Sequence, residues 1–314
     1  MFRQIAKLIG ANVGRYGITS KYSTVPSSYF NKLQYHGKID RNFALKRPNI
    51  QSMTNIRMVK LQIVSDIHLE HIKHVVVEKI IVPSAPVLIM AGDISTYDCK
   101  SLPKFIEWIS ANFEAIIWVF GNHEYYNTKQ IPMASIKEIF QKMTAEYPNI
   151  HILDNETCYI DTHNILIIGS TLWSHIPQSN VKQVAKYMND YRYIKESDSM
   201  FSPDASSALF EQNVDFIQKT INENLDKKIV VVTHHAPVTE NTSDKMYEGS
   251  TTNCAFSSDV FLDNIDQVKL WCYGHTHHNS DFVTKYNYKL VANQYGYNGQ
   301  TSGNTYKNNF VVDL

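Results

Sequence analysis

Short polar clusters follow apolar, β-branched runs at five places along the chain, and this order constrains the fold more than any other feature. The clusters combine carboxylate, amide and imidazole side chains, and they read Asp66-Ile67-His68, Gly92-Asp93, Gly121-Asn122-His123-Glu124, His234-His235 and Gly274-His275-Thr276-His277. Side chains at the carboxyl ends of parallel strands can meet in one crevice. The sequence therefore predicts one polar site assembled from five distant segments.

Between the clusters, strand-like and helix-like segments alternate. Val59–Val64, Val87–Ala91 and Ile116–Phe120 are compact apolar runs, typical of strands buried on both faces. Further strands are predicted at Cys158–Ile160, Ile165–Gly169, Ile229–Thr233, Val268–Tyr273, Asp281–Thr284, Lys289–Val291 and Phe310–Val312. Helices are predicted around His71–Ile80, Cys99–Asn112, Thr128–Glu146 and Asp204–Asn224. This alternation predicts an α/β protein with mixed sheets and helices on the outside.

The composition of the 314 residues indicates a soluble globular chain. Lys+Arg and Asp+Glu number 30 each, so the formal net charge is zero and gives no support for non-specific duplex binding. The four cysteines show no Cys-x-x-Cys spacing, which favours free thiols in a reducing compartment. No apolar run approaches the roughly 20 residues of a membrane span. These features predict a cytoplasmic protein without a membrane partner.

Residues 1–57 differ from the rest of the chain. Met1 to Ile39 contains no acidic residue, and Phe2, Ile5 and Ile9 could share one helical face. A basic, amphipathic start is typical of an organelle transit peptide, which would make the protein mitochondrial or otherwise organellar. A disordered basic tail is the alternative, as is an upstream extension to a gene whose true start is Met58. We expect residues 58–314 to form the catalytic domain.

The polar clusters offer oxygen and nitrogen donors but no thiolate. Such a set suits Mn, Fe or Zn over soft-metal sites. One carboxylate has two oxygens and can bridge two cations, so enough donors are present for two divalent metal ions. Two cations about 3.5–4 Å apart can clamp a phosphoryl group for in-line displacement.

In their order, these motifs resemble the calcineurin-like metallophosphoesterase superfamily, and the resemblance extends from Met58 to about Asn279. It implies a four-layer α/β/β/α sandwich of two mixed β-sheets flanked by helices. It also implies that one metal is held by Asp66, His68, Asp93 and His277, and the other by Asp93, Asn122, His234 and His275. The same resemblance places His123 beside the metals, where it would help the leaving oxygen depart, and gives Glu124 no role as a ligand.

Two branches of the superfamily are disfavoured by departures from their patterns. Ser/Thr protein phosphatases carry Asp-Arg-Gly after the second motif, whereas Asp93 is followed here by Ile94-Ser95-Thr96. Purple acid phosphatases place a tyrosine ligand three residues after the bridging aspartate, where this chain has Thr96. The closer resemblance is to a bacterial-type subgroup with Ser-Asp-x-His-Leu-Glu, Gly-Asn-His-Glu-Tyr-Tyr and His-His-Ala-Pro sequences.

Some residues allow more than one interpretation. His235 could replace its neighbour His234 as a ligand, although the family pattern favours His234. The segment Lys186–Tyr193 is rich in hydrogen-bonding aromatics and could cap the site, with substrate contacts predicted for Asp190, Tyr191 and Arg192; surface pairing is the alternative. Tyr295-Gly296-Tyr297 is expected to be a packed strand connection.

The resemblance predicts a dinuclear metal-dependent hydrolase of phosphate esters that uses a metal-bridging hydroxide. Its substrate would be a small soluble phosphodiester or phosphomonoester such as a nucleotide. A nuclease acting on single-stranded ends is an alternative, because zero net charge neither indicates nor excludes nucleic acid. A non-catalytic scaffold on the same fold is less favoured, since all seven expected ligands and His123 are present. The natural substrate, the metals and the oligomeric state are left open.

Overall fold

The computed structural model describes residues 58–160, 163–247, 249–297 and 305–314. The basic extension at residues 1–57, with its interpretation as a transit peptide, lies outside these residues.

Five strands form the first sheet: β1 (Lys60–Val64), β2 (Val87–Ala91), β3 (Ala115–Val119), β4 (Ile150–Leu153) and β11 (Val311–Asp313). Their spatial order is β11-β1-β2-β3-β4. The strands β1 to β4 are parallel, and β11 closes one edge in antiparallel register, with Leu61 opposite Val312. The carboxyl ends of β1, β2 and β3 therefore lie side by side.

Six strands form the second sheet: β5 (Glu156–Ile160), β6 (Ile165–Ser170), β7 (Lys228–Thr233), β8 (Val268–Cys272), β9 (Ser280–Val283) and β10 (Lys289–Ala292). Their spatial order is β5-β6-β7-β8-β10-β9. The four central strands are parallel, whereas β5 and β9 pair in antiparallel fashion at the two edges. Both sheets are mixed, as the sequence predicts.

Helices cover the outer faces of the sheets. They are α1 (Val77–Ile80), α2 (Leu102–Asn112), α3 (Met133–Thr144), α4 (Val181–Tyr187), α5 (Asp190–Tyr193) and α6 (Pro203–Asn222). Short 3₁₀ turns occupy Leu69–His71, His123–Tyr125, Lys245–Tyr247, Asn253–Ala255 and Ile265–Gln267. The long α6 begins where the Ser202 hydroxyl accepts a hydrogen bond from the Ala205 N–H, with Pro203 in the first turn.

Alternate residues of each central strand face different apolar layers, because side chains alternate across a strand. Leu88 of β2 packs outward with Phe105 of α2, whereas Ile89 packs in the layer between the two sheets. On the far side, Trp271 of β8 packs outward with Ile217 of α6. Three apolar layers therefore separate four layers of structure, which confirms the predicted α/β/β/α sandwich.

The segment between the first two polar clusters contains less helix than the sequence predicts. Instead of a helix over His71–Ile80, a single 3₁₀ turn is followed by the four-residue α1. The run Val75-Val76-Val77 explains this difference, since β-branched side chains lose rotamer freedom in a helix. The chain beyond Leu69 is therefore free to present Glu70 and His71 to the polar site rather than to a helix surface.

Candidate active site

The structure brings the five polar clusters together at the carboxyl ends of neighbouring strands. In the first sheet, β1, β2 and β3 lead into Asp66, Asp93 and Asn122. In the second sheet, β7 and β8 lead into His234 and His275. All five side chains are buried. Each sheet therefore contributes part of one site, which neither sheet could form alone.

The backbone at these strand ends adopts a left-handed conformation that non-glycine residues rarely take. Positive φ values between 50° and 69° occur at Asp66, His68, Asp93, His275 and His277. Such a residue costs on the order of 1–3 kcal/mol, and it persists only where its surroundings fix it. Here the Asp66 N–H donates to the Gly92 carbonyl and the His68 N–H to the Asp93 carbonyl, both at 3.0 Å. The strained turns thus hold one another.

Two glycines allow the turns to approach the carboxylates closely. A Cβ atom on Gly121 would lie 2.2 Å from Asp93 Oδ1, and one on Gly274 would lie 2.5 Å from Asp66 Oδ2. Both distances are shorter than any real contact, so a larger residue would displace the carboxylate. Only glycine therefore fits at these two positions without a steric clash with a carboxylate.

One group of donors consists of Asp66, His68 and His277. His277 Nε2 lies 3.3 Å from Asp66 Oδ1 and 3.1 Å from His68 Nε2. Their ligand atoms all lie within 4.8 Å of one another. This is the spacing of atoms that share one cation, because metal–nitrogen bonds of about 2 Å place neighbouring ligands about 3 Å apart. The group could therefore hold a metal ion.

A second group consists of Asp93, His234 and His275, with Asn122 beside it. His234 Nε2 lies 3.3 Å from Asp93 Oδ1, 3.1 Å from His275 Nδ1 and 3.0 Å from Asn122 Oδ1. Three donor atoms thus lie within 3.3 Å of His234 Nε2, and Asp93, His234 and His275 also could hold a metal ion. Asp93 faces both groups, since its other oxygen, Oδ2, lies 3.8 Å from His68 Nε2.

Three imidazoles of the two groups are oriented by hydrogen bonds on their outer nitrogens. His234 Nδ1 lies 2.9 Å from the Ala91 carbonyl, His275 Nε2 lies 3.3 Å from the Ala255 carbonyl, and His68 Nδ1 lies 3.3 Å from Glu70 Oε1. An N–H that points outward leaves the other ring nitrogen for a cation, which is the arrangement found around metal-ligating histidines. The donor set and its orientation therefore fit divalent cations.

Charge within the second group is concentrated on Asp93 and His234. Burial would lower the pKa of His234, but Asp93, which lies in contact with it, raises that pKa to about 10. Burial would raise the pKa of Asp93, yet His234 and His123 keep it well below its usual range. A cation at this position would compete with the proton on His234 for the same nitrogen, so metal binding should release protons.

His123 lies beside the two groups and is held on both ring nitrogens. Its Nδ1 atom lies 2.9 Å from Glu70 Oε1, and its Nε2 atom lies 3.1 Å from the Tyr297 hydroxyl. The backbone N–H of His123 donates to Asp93 Oδ1 at 2.8 Å, and the imidazole ring stacks on Tyr126 with centroids 4.2 Å apart. Four donors here lie close enough to hold a cation themselves, namely His68, Glu70, His71 and His123.

The sequence patterns assign no role to Glu70 and favour a packed strand connection for Tyr297. Both side chains reach the imidazole of His123 instead. A signal for Glu70 was present, since Asp66, His68 and Glu70 recur at every second residue. The signal for Tyr297 was Gly296, whose φ of 70° turns the chain beside it.

Glu70 and His123 shift each other's protonation. Burial would lower the pKa of His123, but the carboxylates of Asp93, Glu70 and Asp190 raise it to about 9. Burial would raise the pKa of Glu70, but hydrogen bonds from His123 and His68 lower it to about 2. The two residues therefore form an ion pair over a wide range of pH.

Glu124 connects two of the turns. Its buried carboxylate accepts hydrogen bonds from the N–H groups of Asp93 at 2.9 Å, Ile94 at 2.8 Å and Gly121 at 2.8 Å. Burial and the nearby charge of Asp93 raise its pKa to about 7. The side chain therefore holds the backbone on which Asp93 stands.

The structure places Asp190 beneath Asn122 rather than at a cavity wall. Asp190 Oδ1 accepts hydrogen bonds from Asn122 Nδ2 at 2.8 Å and from the Tyr126 hydroxyl at 2.5 Å. With its amide nitrogen held in this way, Asn122 turns its oxygen toward His234. Tyr191 packs on Phe201, with ring centroids 5.8 Å apart.

The other residues with open interpretations take different positions. The exposed Arg192 donates to the Lys186 carbonyl. His235 contacts Ser174 Oγ through Nδ1 at 2.7 Å, so it is His234 that faces Asp93. The substrate contacts predicted for Asp190, Tyr191 and Arg192 stay predictions. The residues of this segment that border the cavities are Tyr187, Met188, Asn189 and Tyr193.

Two cavities meet at His123. The smaller, of about 380 Å³, lies over the donor groups and is bordered by Asp93, Asn122, His275 and His277. The larger, of about 740 Å³, lies on the other side of His123 and is bordered by His68, Glu70 and several aromatic rings. His123, Tyr126, Asn189 and Tyr297 border both. These volumes lie in the range of small-molecule sites.

This two-sheet sandwich, with histidines and carboxylates at the strand ends, has the architecture of a metal-dependent phosphoesterase. The chain belongs to the calcineurin-like phosphoesterase family, whose sequence model matches residues 59–279. The predicted resemblance is thereby confirmed, and the protein is a metal-dependent phosphoesterase of that family. Among the described residues, no helix is long and apolar enough to cross a membrane.

Similar proteins come from a virus, a bacterium and a fish. The chain is 35% identical over 237 residues to the uncharacterized protein L509 of Acanthamoeba polyphaga mimivirus, a match that covers 71% of this chain and 80% of that protein. The phosphopantetheinyl hydrolase of Mycobacterium tuberculosis shares the fold, with a TM-score of 0.61 and 16% identity over 82% of this chain and 96% of that one. A dimetal phosphatase from Danio rerio gives a TM-score of 0.44 and 11% identity over 74% and 86% of the two chains.

Proposed function

We propose that residues 58–314 form the catalytic domain of a hydrolase that uses two divalent cations on a small phosphate ester. The observation that carries this proposal is the position of Asp93, whose Oδ1 lies 3.3 Å from His234 and whose Oδ2 lies 3.8 Å from His68. A carboxylate with one oxygen toward each group of histidines is suited to join two cations.

The ligands divide between the two cations by their distances. Asp66, His68, Asp93 and His277 would hold one, and Asp93, Asn122, His234 and His275 would hold the other. Mn, Fe and Zn all accept such nitrogen and oxygen ligands. When bound, the two cations would supply an activated water and positive charge opposite the phosphoryl oxygens.

His123 would donate a proton to the leaving group. Its ring borders the smaller cavity, in which the phosphoryl group would lie, and also the larger cavity beyond. With Glu70 holding Nδ1, the Nε2 atom is directed toward Tyr297 and the cavities. A proton held at Nε2 can pass to the departing oxygen, and such proton transfer contributes roughly 10²–10⁴-fold to a rate.

The size of the site favours a small soluble ester over a nucleic acid strand. The phosphoryl cavity measures about 380 Å³, and its described border includes no lysine or arginine to follow a phosphate backbone. Nucleic acid binding draws most of its affinity from such cations. The preference between a diester and a monoester would be decided by activity.

The test begins with protein treated with EDTA and measures hydrolysis of bis(p-nitrophenyl) phosphate and p-nitrophenyl phosphate before and after Mn²⁺ is added. We expect Mn²⁺ to restore turnover and Asn122→Ala to lower it strongly. His123→Ala should reduce kcat by about 100-fold with a phenyl ester, and much less with a p-nitrophenyl ester, whose leaving group departs without a proton.

His74→Ala is the matched control, because His74 is exposed and borders neither cavity. It should retain the activity of the unchanged chain. Turnover that survives both EDTA and Asn122→Ala would contradict the proposal. Cleavage of single-stranded oligonucleotides in preference to either small ester would support the nuclease alternative instead.

A further inference from the structure

The larger cavity is not occupied by the proposed metal centre. It measures about 740 Å³, and of the seven proposed ligands only His68 lies on its border. It begins at His123, the residue that would give a proton to the leaving oxygen. A group that departs from phosphorus on the His123 side would therefore enter this cavity.

The charge of the cavity indicates what it would accept. Its described border includes the carboxylates of Glu70 and Asp98 and contains neither lysine nor arginine. One oxygen of Glu70, Oε2, is buried without a hydrogen-bond partner. A buried acceptor of this kind is costly until a donor reaches it. The described border thus offers no lysine or arginine to hold an anionic group, and the free oxygen of Glu70 suits an uncharged group that donates hydrogen bonds.

Aromatic rings cover much of the border. Tyr126 stacks on His123 at 4.2 Å, and Tyr193 lies next to Tyr126 with ring centroids 5.6 Å apart. His71 and Tyr297 also border the cavity, with ring centroids 5.4 Å apart. Stacking on such faces contributes about 1–3 kcal/mol per base in proteins that bind nucleic acid single strands. The rings therefore favour a flat aromatic group.

We propose that the larger cavity is the subsite for the leaving group and that it takes an uncharged heteroaromatic group with hydrogen-bond donors, such as a nucleoside. The proposal rests on the proposed phosphate ester hydrolase, because that function makes His123 the boundary between phosphoryl and leaving group. The substrate is then a phosphate ester of a nucleoside-like alcohol rather than of a short aliphatic alcohol or a second phosphate.

The test uses uridine as a probe and the full chain, with binding followed by saturation-transfer NMR. Uridine should bind with similar affinity in EDTA and in Mn²⁺, because the cavity uses little of the metal centre. Ribose, which lacks the ring, should bind at least about tenfold more weakly. Orotidine, which adds one carboxylate to the same ring, should also bind much more weakly, because of Glu70 and Asp98.

Matched tyrosine variants locate the probe. Tyr193→Ala removes a half-exposed ring from the cavity border and should weaken uridine binding by about tenfold. Tyr159→Ala removes a similarly exposed ring on β5, which does not border the cavity, and should leave binding unchanged. Circular dichroism would establish that both variants are folded. With Mn²⁺, uridine should also inhibit ester hydrolysis competitively.

The results separate this inference from the proposed function. If bis(p-nitrophenyl) phosphate is hydrolysed but uridine does not bind, or ribose or orotidine binds as well as uridine, the subsite is wrong and the hydrolase stands. If uridine binds with the expected pattern but no ester is hydrolysed, the proposed function fails and the assignment to a leaving group fails with it.

Discussion

At the scale of single residues, the pair Glu70–His123 shows how a buried carboxylate is tolerated beside the candidate active site. The two side chains are mostly buried, and their 2.9 Å contact joins a carboxylate to an imidazole. Removing one partner leaves the other charged and unpaired, which costs more than the pair contributes. The pair should therefore influence stability as well as proton transfer.

The pH dependence of stability is expected to reveal this pair in metal-free protein. The pKa of His123 is raised from 6.5 to about 9, so its contribution is complete below pH 6.5 and is lost as the pH rises through 9. The pKa of Glu70 is lowered from 4.5 to about 2, so its contribution is complete above pH 4.5 and is lost as the pH falls through 2. Stability from the pair should be greatest between pH 4.5 and 6.5.

Glu70→Gln should lower the free energy of unfolding by about 2 kcal/mol at pH 6 and by less at pH 10. Urea denaturation in EDTA at several pH values measures this difference. If the free energies of unfolding of Glu70→Gln and of the unchanged chain vary with pH in parallel, the pair does not contribute to stability.

At the scale of elements, the turns after β2 and β3 are coupled through one glycine and one carboxylate. Gly121 leaves space for Asp93, and Glu124 accepts hydrogen bonds from the backbone of both turns. The position of Asp93 is thus set by a turn that belongs to a different strand. A change in that turn should therefore reach the metal site without replacing a ligand.

Gly121→Ala should weaken Mn²⁺ binding by about 10–100-fold, as changes behind a metal ligand commonly do. The added Cβ atom would lie 2.7 Å from the Asp93 backbone nitrogen as well as 2.2 Å from its carboxylate, so a side-chain rotation cannot relieve the contact. Isothermal titration calorimetry measures the affinity.

Gly249→Ala is the matched control for this prediction. Its φ of +78° makes alanine strained, but among the described residues beyond its chain neighbours nothing lies within 4 Å of the added atom. It should change stability and leave Mn²⁺ affinity unaltered. Equal affinities for the two variants and the unchanged chain would contradict the coupling of the two turns.

At the scale of the whole molecule, the site joins the two sheets. Asp66, Asp93 and Asn122 belong to the first sheet, and His234 and His275 belong to the second. Between the sheets lies an apolar layer that packs them together. Cations held by ligands from both sheets would add a second connection at one edge of the sandwich.

Metal removal should therefore lower the melting temperature. A ligand at 100 times its Kd stabilises a protein by about 2.7 kcal/mol, which corresponds to roughly 5–10 °C for a domain of this size. Differential scanning calorimetry in EDTA and in Mn²⁺ measures the shift, and Asp93→Asn should reduce it. A melting temperature that does not respond to Mn²⁺ would contradict the connection.

The sequence by itself determined the fold class and which residue types gather at the site. Buried parallel strands give continuous apolar runs, and a polar residue directly after such a run can only lie at the edge of the sheet. That local rule places Asp66, Asp93, Asn122, His275 and the adjacent pair His234-His235 at the edge of a sheet.

Only the tertiary structure decided which side chains surround His123. Glu70 and Tyr297 both reach the ring of His123, and no local pattern relates the three residues, because they stand on loops that follow different strands. The same reason applies to the hydrogen bond between Asp190 and Asn122, which no local pattern indicates. Periodicity reports the face on which a residue lies, whereas the partner it meets there depends on the packing of the two sheets.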